Sequence, residues 1–143
     1  MLHEDLTQTI IGCAMRVHNT LGPGFLESVY QNALLIELRK TGVAAEPQKR
    51  IQVYYDQVLV GDFLADIVVE DTIMIENKAV RALLPIHEAQ LVNYITATGT
   101  EIGLLLNFGA DRLQFKRKYC DYGRLRGVAD MPDRENGHTA DEN

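Results

Sequence analysis

The chain has 143 residues, 46% of them hydrophobic, with a formal net charge of −6 and a pI near 5.1. That length and composition suit one domain with a core, and they exclude an intrinsically disordered chain. The acidic balance excludes a broad basic footprint for nucleic acid and leaves room only for a local one, at Arg112, Lys116, Arg117 and Lys118.

Two cysteines, Cys13 and Cys120, lie far apart without a CxxC partner, so neither a zinc site nor a disulfide framework is expected, and a reducing cytoplasm is the expected compartment. The opening MLHEDLTQTI is acidic and amphipathic, unlike a secretory leader. No segment approaches the roughly 18 uninterrupted apolar residues of a membrane span.

In chain order, Leu6, Ile10, Cys13, Val17 and Leu21 recur at helical spacing, so a helix is predicted from Asp5 to about Thr20, with Asp5 as N-cap. Gly22-Pro23-Gly24 breaks the chain, and a second helix follows from about Leu26 to Lys40, stopped at Gly42. Its expected buried stripe is Leu26, Val29, Ala33, Leu34 and Ile36. Segments 50–55, 58–69 and 72–80 read as an antiparallel meander with turns at Asp56-Gln57 and Glu70-Asp71-Thr72. Pro85 opens a helix over about 86–98, closed near Gly99. The continuous apolar run 101–109 predicts a buried strand, and the alternating 112–119 an edge strand. Residues 124–143 are polar and aperiodic, and they are expected to form a disordered tail outside a domain spanning 1–123. This order predicts a mixed α/β sheet flanked by helices.

The meander carries charges where its apolar pattern does not ask for them. Alternation puts Met74, Glu76 and Lys78 on one face of the strand and Ile73, Ile75 and Asn77 on the other. Asp66, on the preceding strand, falls near Glu76 across the turn. Two converging carboxylates repel unless a cation lies between them, and a hard divalent ion takes carboxylate and carbonyl oxygens. An ammonium beside that ion can polarise water or steady charge on a phosphate. The bland alternative is a surface pair neutralised by Lys78, because an isolated D…ExK spacing is a weak motif.

Two further segments bear on this choice. On the second helix Glu27 and Tyr30 are three residues apart and are expected to share a face. His87, Gln90 and Tyr94 form a polar stripe opposite Ala89, Val92 and Ile95. A different hydrolase built on His18 or His87 finds no Ser-His-Asp or Cys-His pattern, and Gly22-Pro23-Gly24 lacks the Lys-Ser/Thr of a phosphate loop.

Taken together, VHNTLGPGFLESVY (17–30), FLADIVVED (63–71), IMIENKAV (73–80), IHEAQLVNYI (86–95) and GLLLNFG (103–109) resemble the GxxExxY proteins, a family of the PD-(D/E)xK nuclease superfamily. The resemblance implies a restriction-endonuclease-like α-β-β-β-α-β core and a phosphodiester hydrolase dependent on Mg²⁺ or Mn²⁺. It implies that Asp66 and Glu76 hold the metal, with Glu27 and the Asn77 carbonyl adding oxygens. Lys78 would be the catalytic lysine, and Gln90 and Tyr94 would match the QxxxY element that holds DNA or the site. The implied partner is nucleic acid, DNA ahead of RNA; a homodimer would double the basic cluster. One departure stands out, since position 77 is usually apolar in that family, and an unpaired buried amide there costs about 1–3 kcal/mol. The alternative is a catalytically silent module of the same fold, acting in nucleic-acid or protein binding.

Overall fold

A computed structural model describes residues 3–124; the expected tail over 124–143 lies, but for its first residue, outside them. Eight elements follow one another: α1 (Glu4–Leu21), α2 (Glu27–Lys40), β1 (Ala45–Tyr55), β2 (Val58–Val69), β3 (Ile73–Lys78), α3 (Pro85–Thr98), β4 (Ile102–Asn107) and β5 (Gln114–Tyr119). The five strands form one sheet in the order β1-β2-β3-β4-β5. All neighbours are antiparallel except β3 and β4, which run parallel and are joined by the α3 crossover. The order and the mixed sheet are those of a restriction-endonuclease-like α/β fold.

Local chemistry explains the turns. Asp56 and Gln57, and likewise Glu70 and Asp71, all have positive φ, the backbone of the tight turns that match the right-handed strand twist. The chain leaves Gly22 and Gly24 at φ 70° and 114°, a conformation that glycine adopts without steric cost, before α2 begins. Pro85 starts α3, where its missing N–H is not needed, and His87 Nδ1 accepts the Leu84 N–H at 3.0 Å.

The sheet is covered on both faces. α1 and α2 pack through Ile10, Cys13, Val17, Tyr30, Leu34 and Leu38 onto Ile67, Ile73, Ile75, Leu104 and Leu106. α3 packs through Leu91 and Ile95 onto Ile51, Ala65, Met74 and Leu105 on the other face. Gly103 admits this helix closely, because a Cβ there would stand 2.8 Å from Leu91.

Four local expectations are corrected. His3, not Asp5, is the N-cap of α1, and Asp5 lies in the first turn. The buried stripe of α2 is Tyr30, Leu34, Leu35 and Leu38, while Leu26 and Ile36 are 76% and 59% exposed. On α3 the packed side is Leu91, Ile95 and Thr96, and Ala89 is exposed. The basic cluster is divided by the sheet. Phe115 packs toward α1 and α2, which by alternation puts Arg117 on that side, whereas Lys118 is on the α3 side and pairs with Glu88 at 2.6 Å.

Candidate active site

The site forms where β2 and β3 part. Their ladder holds only three pairs, Val69 with Ile73, Val68 with Met74 and Ile67 with Ile75. Asp66 would pair next with Glu76. Instead its Oδ2 accepts the Asn77 N–H at 2.7 Å, so a carboxylate takes the place of a strand carbonyl. Side-chain alternation breaks at the same point, since Ala65 packs toward α3 and Ile67 toward α1 and α2. Opposite, Gln48 has φ 55° and the β1 ladder skips from Pro47 to Lys49. This irregularity in β1 lies directly across from Asp66, where β2 departs from strict alternation.

Glu76 sits beside it with little to compensate its charge. Its Oε1 is buried without a hydrogen-bond partner. Burial first, and then the negative charge of Asp66, push the Glu76 carboxyl up to about 8; Lys78 and the facing Asp66 N–H offset this only in part, and Glu27 adds to it. The Asp66 carboxyl is also raised, by burial foremost, against the Asn77 N–H that favours its charged form. Glu27 raises it and Lys78 lowers it. The tyrosine hydroxyl of Tyr94 is raised by burial and then by the charges of Glu76 and Asp66, which puts it within their electrostatic reach.

The sequence-predicted residues therefore converge unequally. Asp66, Glu76 and Lys78 come together at the end of β3, and Lys78 makes no ion pair within 4.0 Å among the described residues. Tyr94 reaches them from α3, its ring against Phe63 with centroids 4.7 Å apart. Gln90 lies one turn earlier on α3 and is exposed. Glu27 stands at the start of α2, exposed, and acts on both carboxylates through its charge. Among the described residues no three His, Cys, Asp or Glu side chains stand close enough together to hold a metal ion, so Glu27 does not complete a ready-made carboxylate triad. Asn77 points away from Glu76 as expected; it is 1% exposed and neither side-chain amide atom has a partner.

Tyr30 departs from the expectation that it shares a face with Glu27. It is fully buried, stacks on Phe108 at 4.8 Å and 9°, accepts the Phe25 N–H at 3.1 Å and donates to the Gly22 carbonyl. Its work is to fix the loop that presents Glu27. The histidines are similarly engaged, His87 at the α3 cap and His18 donating from Nε2 to the Ala110 carbonyl at 2.8 Å.

The residues present fit a hard divalent cation. Two carboxylates without a neutralising partner, one with an orphaned buried oxygen, are the donors such an ion takes, and Mg²⁺ commonly needs only one or two protein carboxylates. Fold and site together define a nuclease-type α/β domain. A family model described as the PD-(D/E)XK nuclease superfamily matches residues 4–118, and the chain belongs to that superfamily. No curated protein matches the chain. Among solved structures, the crystal structure of SSO0001 is similar in fold, with a TM-score of 0.53 and 18% identity over 80% of this chain and 55% of that one. The chain thus spans about half the length of that relative.

Proposed function

We propose that the protein is a divalent-metal-dependent nuclease of the GxxExxY type, hydrolysing phosphodiester bonds in nucleic acid, with DNA ahead of RNA, in the cytoplasm. The observation that carries this reading is the half-buried Asp66–Glu76 pair, both raised in pKa and one with an orphaned buried oxygen, beside a lysine with no ion pair among the described residues. A structural salt bridge would have closed Lys78 onto one of the carboxylates; it does neither within 4.0 Å.

Asp66 and Glu76 would hold Mg²⁺ or Mn²⁺, with Glu27 and the Asn77 carbonyl as outer oxygens. When bound, the cation supplies Lewis-acid polarisation of the phosphodiester. The ammonium of Lys78 orients the attacking water and offsets negative charge on the phosphate as it develops. Tyr94 donates its hydroxyl proton toward a phosphate oxygen, and Gln90, exposed one turn away, offers an amide to the nucleic-acid backbone. No helix among the described residues is long and apolar enough to cross a membrane.

The test is cleavage of mixed DNA and RNA substrates with Mg²⁺ or Mn²⁺, wild type beside Lys78→Ala and Glu76→Gln. Loss of at least about 10²-fold in both variants is expected. Metal binding by the wild type without cleavage would move the assignment to a silent module that binds nucleic acid or protein.

A further inference from the structure

Beyond the carboxylates, the fullest polar network near the site lies on the neighbouring strand. Asn107, at the end of β4, is completely buried and pairs in register with Lys78. Gly103 and Leu105 face α3, so alternation puts Asn107 on the same side of the sheet as Glu76 and Lys78. Its Oδ1 accepts the Val80 N–H at 2.9 Å and the Gly109 N–H at 3.0 Å. Its Nδ2 donates to the Val80 carbonyl and to Gln114 Oε1, both at 2.9 Å. Both lone pairs and both N–H donors of that amide are thereby engaged.

The network reaches in two directions from the strand end. The Phe108 N–H donates to the Lys78 carbonyl at 2.9 Å, so the chain is held on both sides of Ala79. A Cβ at Gly109 would stand 2.4 Å from the Val80 nitrogen and oxygen, so the glycine permits this approach. Gln114 Oε1 also accepts the Leu83 N–H at 3.2 Å, two residues before α3. Through Asn107, which holds Val80, the Gln114 side chain on β5 thus links the exit of β3 to the entry of the helix that carries Gln90 and Tyr94.

We infer that Asn107 and Gln114 are positioning residues that set Lys78 and α3 in register with the Asp66–Glu76 pair. The inference rests on the nuclease reading for its consequence in catalysis, while the clasp itself exists in the metal-free protein. Without it the chain after β3 is a six-residue connection, from Ala79 to Leu84, free to shift the lysine relative to the carboxylates. A misplacement of about 1 Å costs about 10²-fold in rate.

Asn107→Ala leaves buried groups unpaired and risks unfolding, so the decisive variants are at Gln114, which lies at the edge strand. Gln114→Met removes the acceptor, and Gln114→Glu keeps an acceptor oxygen at the same reach. The measurements are amide hydrogen exchange at Leu83 and Val80 in metal-free protein, and kcat and KM per folded molecule well below the melting temperature. Exchange at both amides is expected to speed up in Gln114→Met and to return toward wild type in Gln114→Glu. In parallel, kcat falls about 10- to 100-fold in the Met variant with KM within about two-fold, and the Glu variant recovers it. Unchanged exchange in Gln114→Met overturns the clasp. Faster exchange with unchanged kcat overturns the positioning role. An inactive wild type with the same exchange pattern sinks the nuclease reading and leaves the clasp standing.

Discussion

Replacing Glu76 by Gln in metal-free protein removes the group that most strains the site. The Glu76 carboxyl is raised from 4.5 to about 8, chiefly by burial and next by Asp66. A carboxylate raised on folding means that the folded state binds a proton the unfolded state has already lost. Stability from this group is complete below pH 4.5, and it is lost progressively as pH climbs toward 8. The separation of about 3.5 pH units, at about 1.4 kcal/mol each, sets a ceiling on the order of 5 kcal/mol. Asp66 is raised as well, so the pair titrates together and the sign is the same. The carboxylates held low by their ion pairs, Glu37, Asp62, Asp71 and Glu88, act below their ordinary values and outside this window. Gln carries no charge at any pH. Urea unfolding in EDTA from pH 4.5 to 8.5 is therefore expected to show curves that meet at the acid end, with Glu76→Gln more stable by several kcal/mol near pH 8. Added Mg²⁺ at pH 8 should narrow the gap by stabilising the wild type alone. Parallel curves for the two proteins would refute the account of a buried, uncompensated carboxylate.

Three other substitutions read the framework. Asn77→Leu replaces an amide with no hydrogen-bond partner at all, and urea unfolding should show a gain of about 1–3 kcal/mol. Tyr30→Phe deletes the hydroxyl that holds Phe25 and Gly22; a loss of about 1–3 kcal/mol is expected, with faster amide exchange at Phe25. Gly109→Ala forces a methyl onto the Val80 backbone, and calorimetry should show a fall in Tm equivalent to at least about 2 kcal/mol.

Where periodicity was clean, the chain could be read directly. Val58–Val69 stands at the boundaries read for it between its two turns, and Ile10, Cys13 and Val17 of α1 are buried as their spacing required. β1 begins five residues before the strand read from Arg50, at Ala45, because Glu46-Pro47-Gln48-Lys49 looks like a loop; an edge strand tolerates a proline whose nitrogen faces no partner. The phase of α2 was hidden by Tyr30, whose spacing puts it on one face with Glu27 but whose ring is fully buried and stacks on Phe108. The proximity of Asp66 and Glu76 was legible from the turn length, but the break in alternation at Asp66 was not, because it depends on a side chain replacing a ladder bond. Asn107 offered one signal, a polar residue closing the apolar run Ile102–Leu106; two of its four hydrogen bonds go to Val80, 27 residues away in sequence, which no local pattern reveals.

On the proposed nuclease reading, Asp66 carries two obligations that an evolving lineage can separate. Its oxygen completes the seam between β2 and β3, so some acceptor at that position serves the fold whether or not the protein cuts anything. Lys78 is not part of that seam: its backbone is held by β4 and by Phe108, and among the described residues its side chain closes no ion pair. Descendants that abandoned chemistry could discard the lysine at little structural expense while still retaining an oxygen at 66. An intact aspartate is thus a weak witness to activity, and the retained ammonium is the informative one.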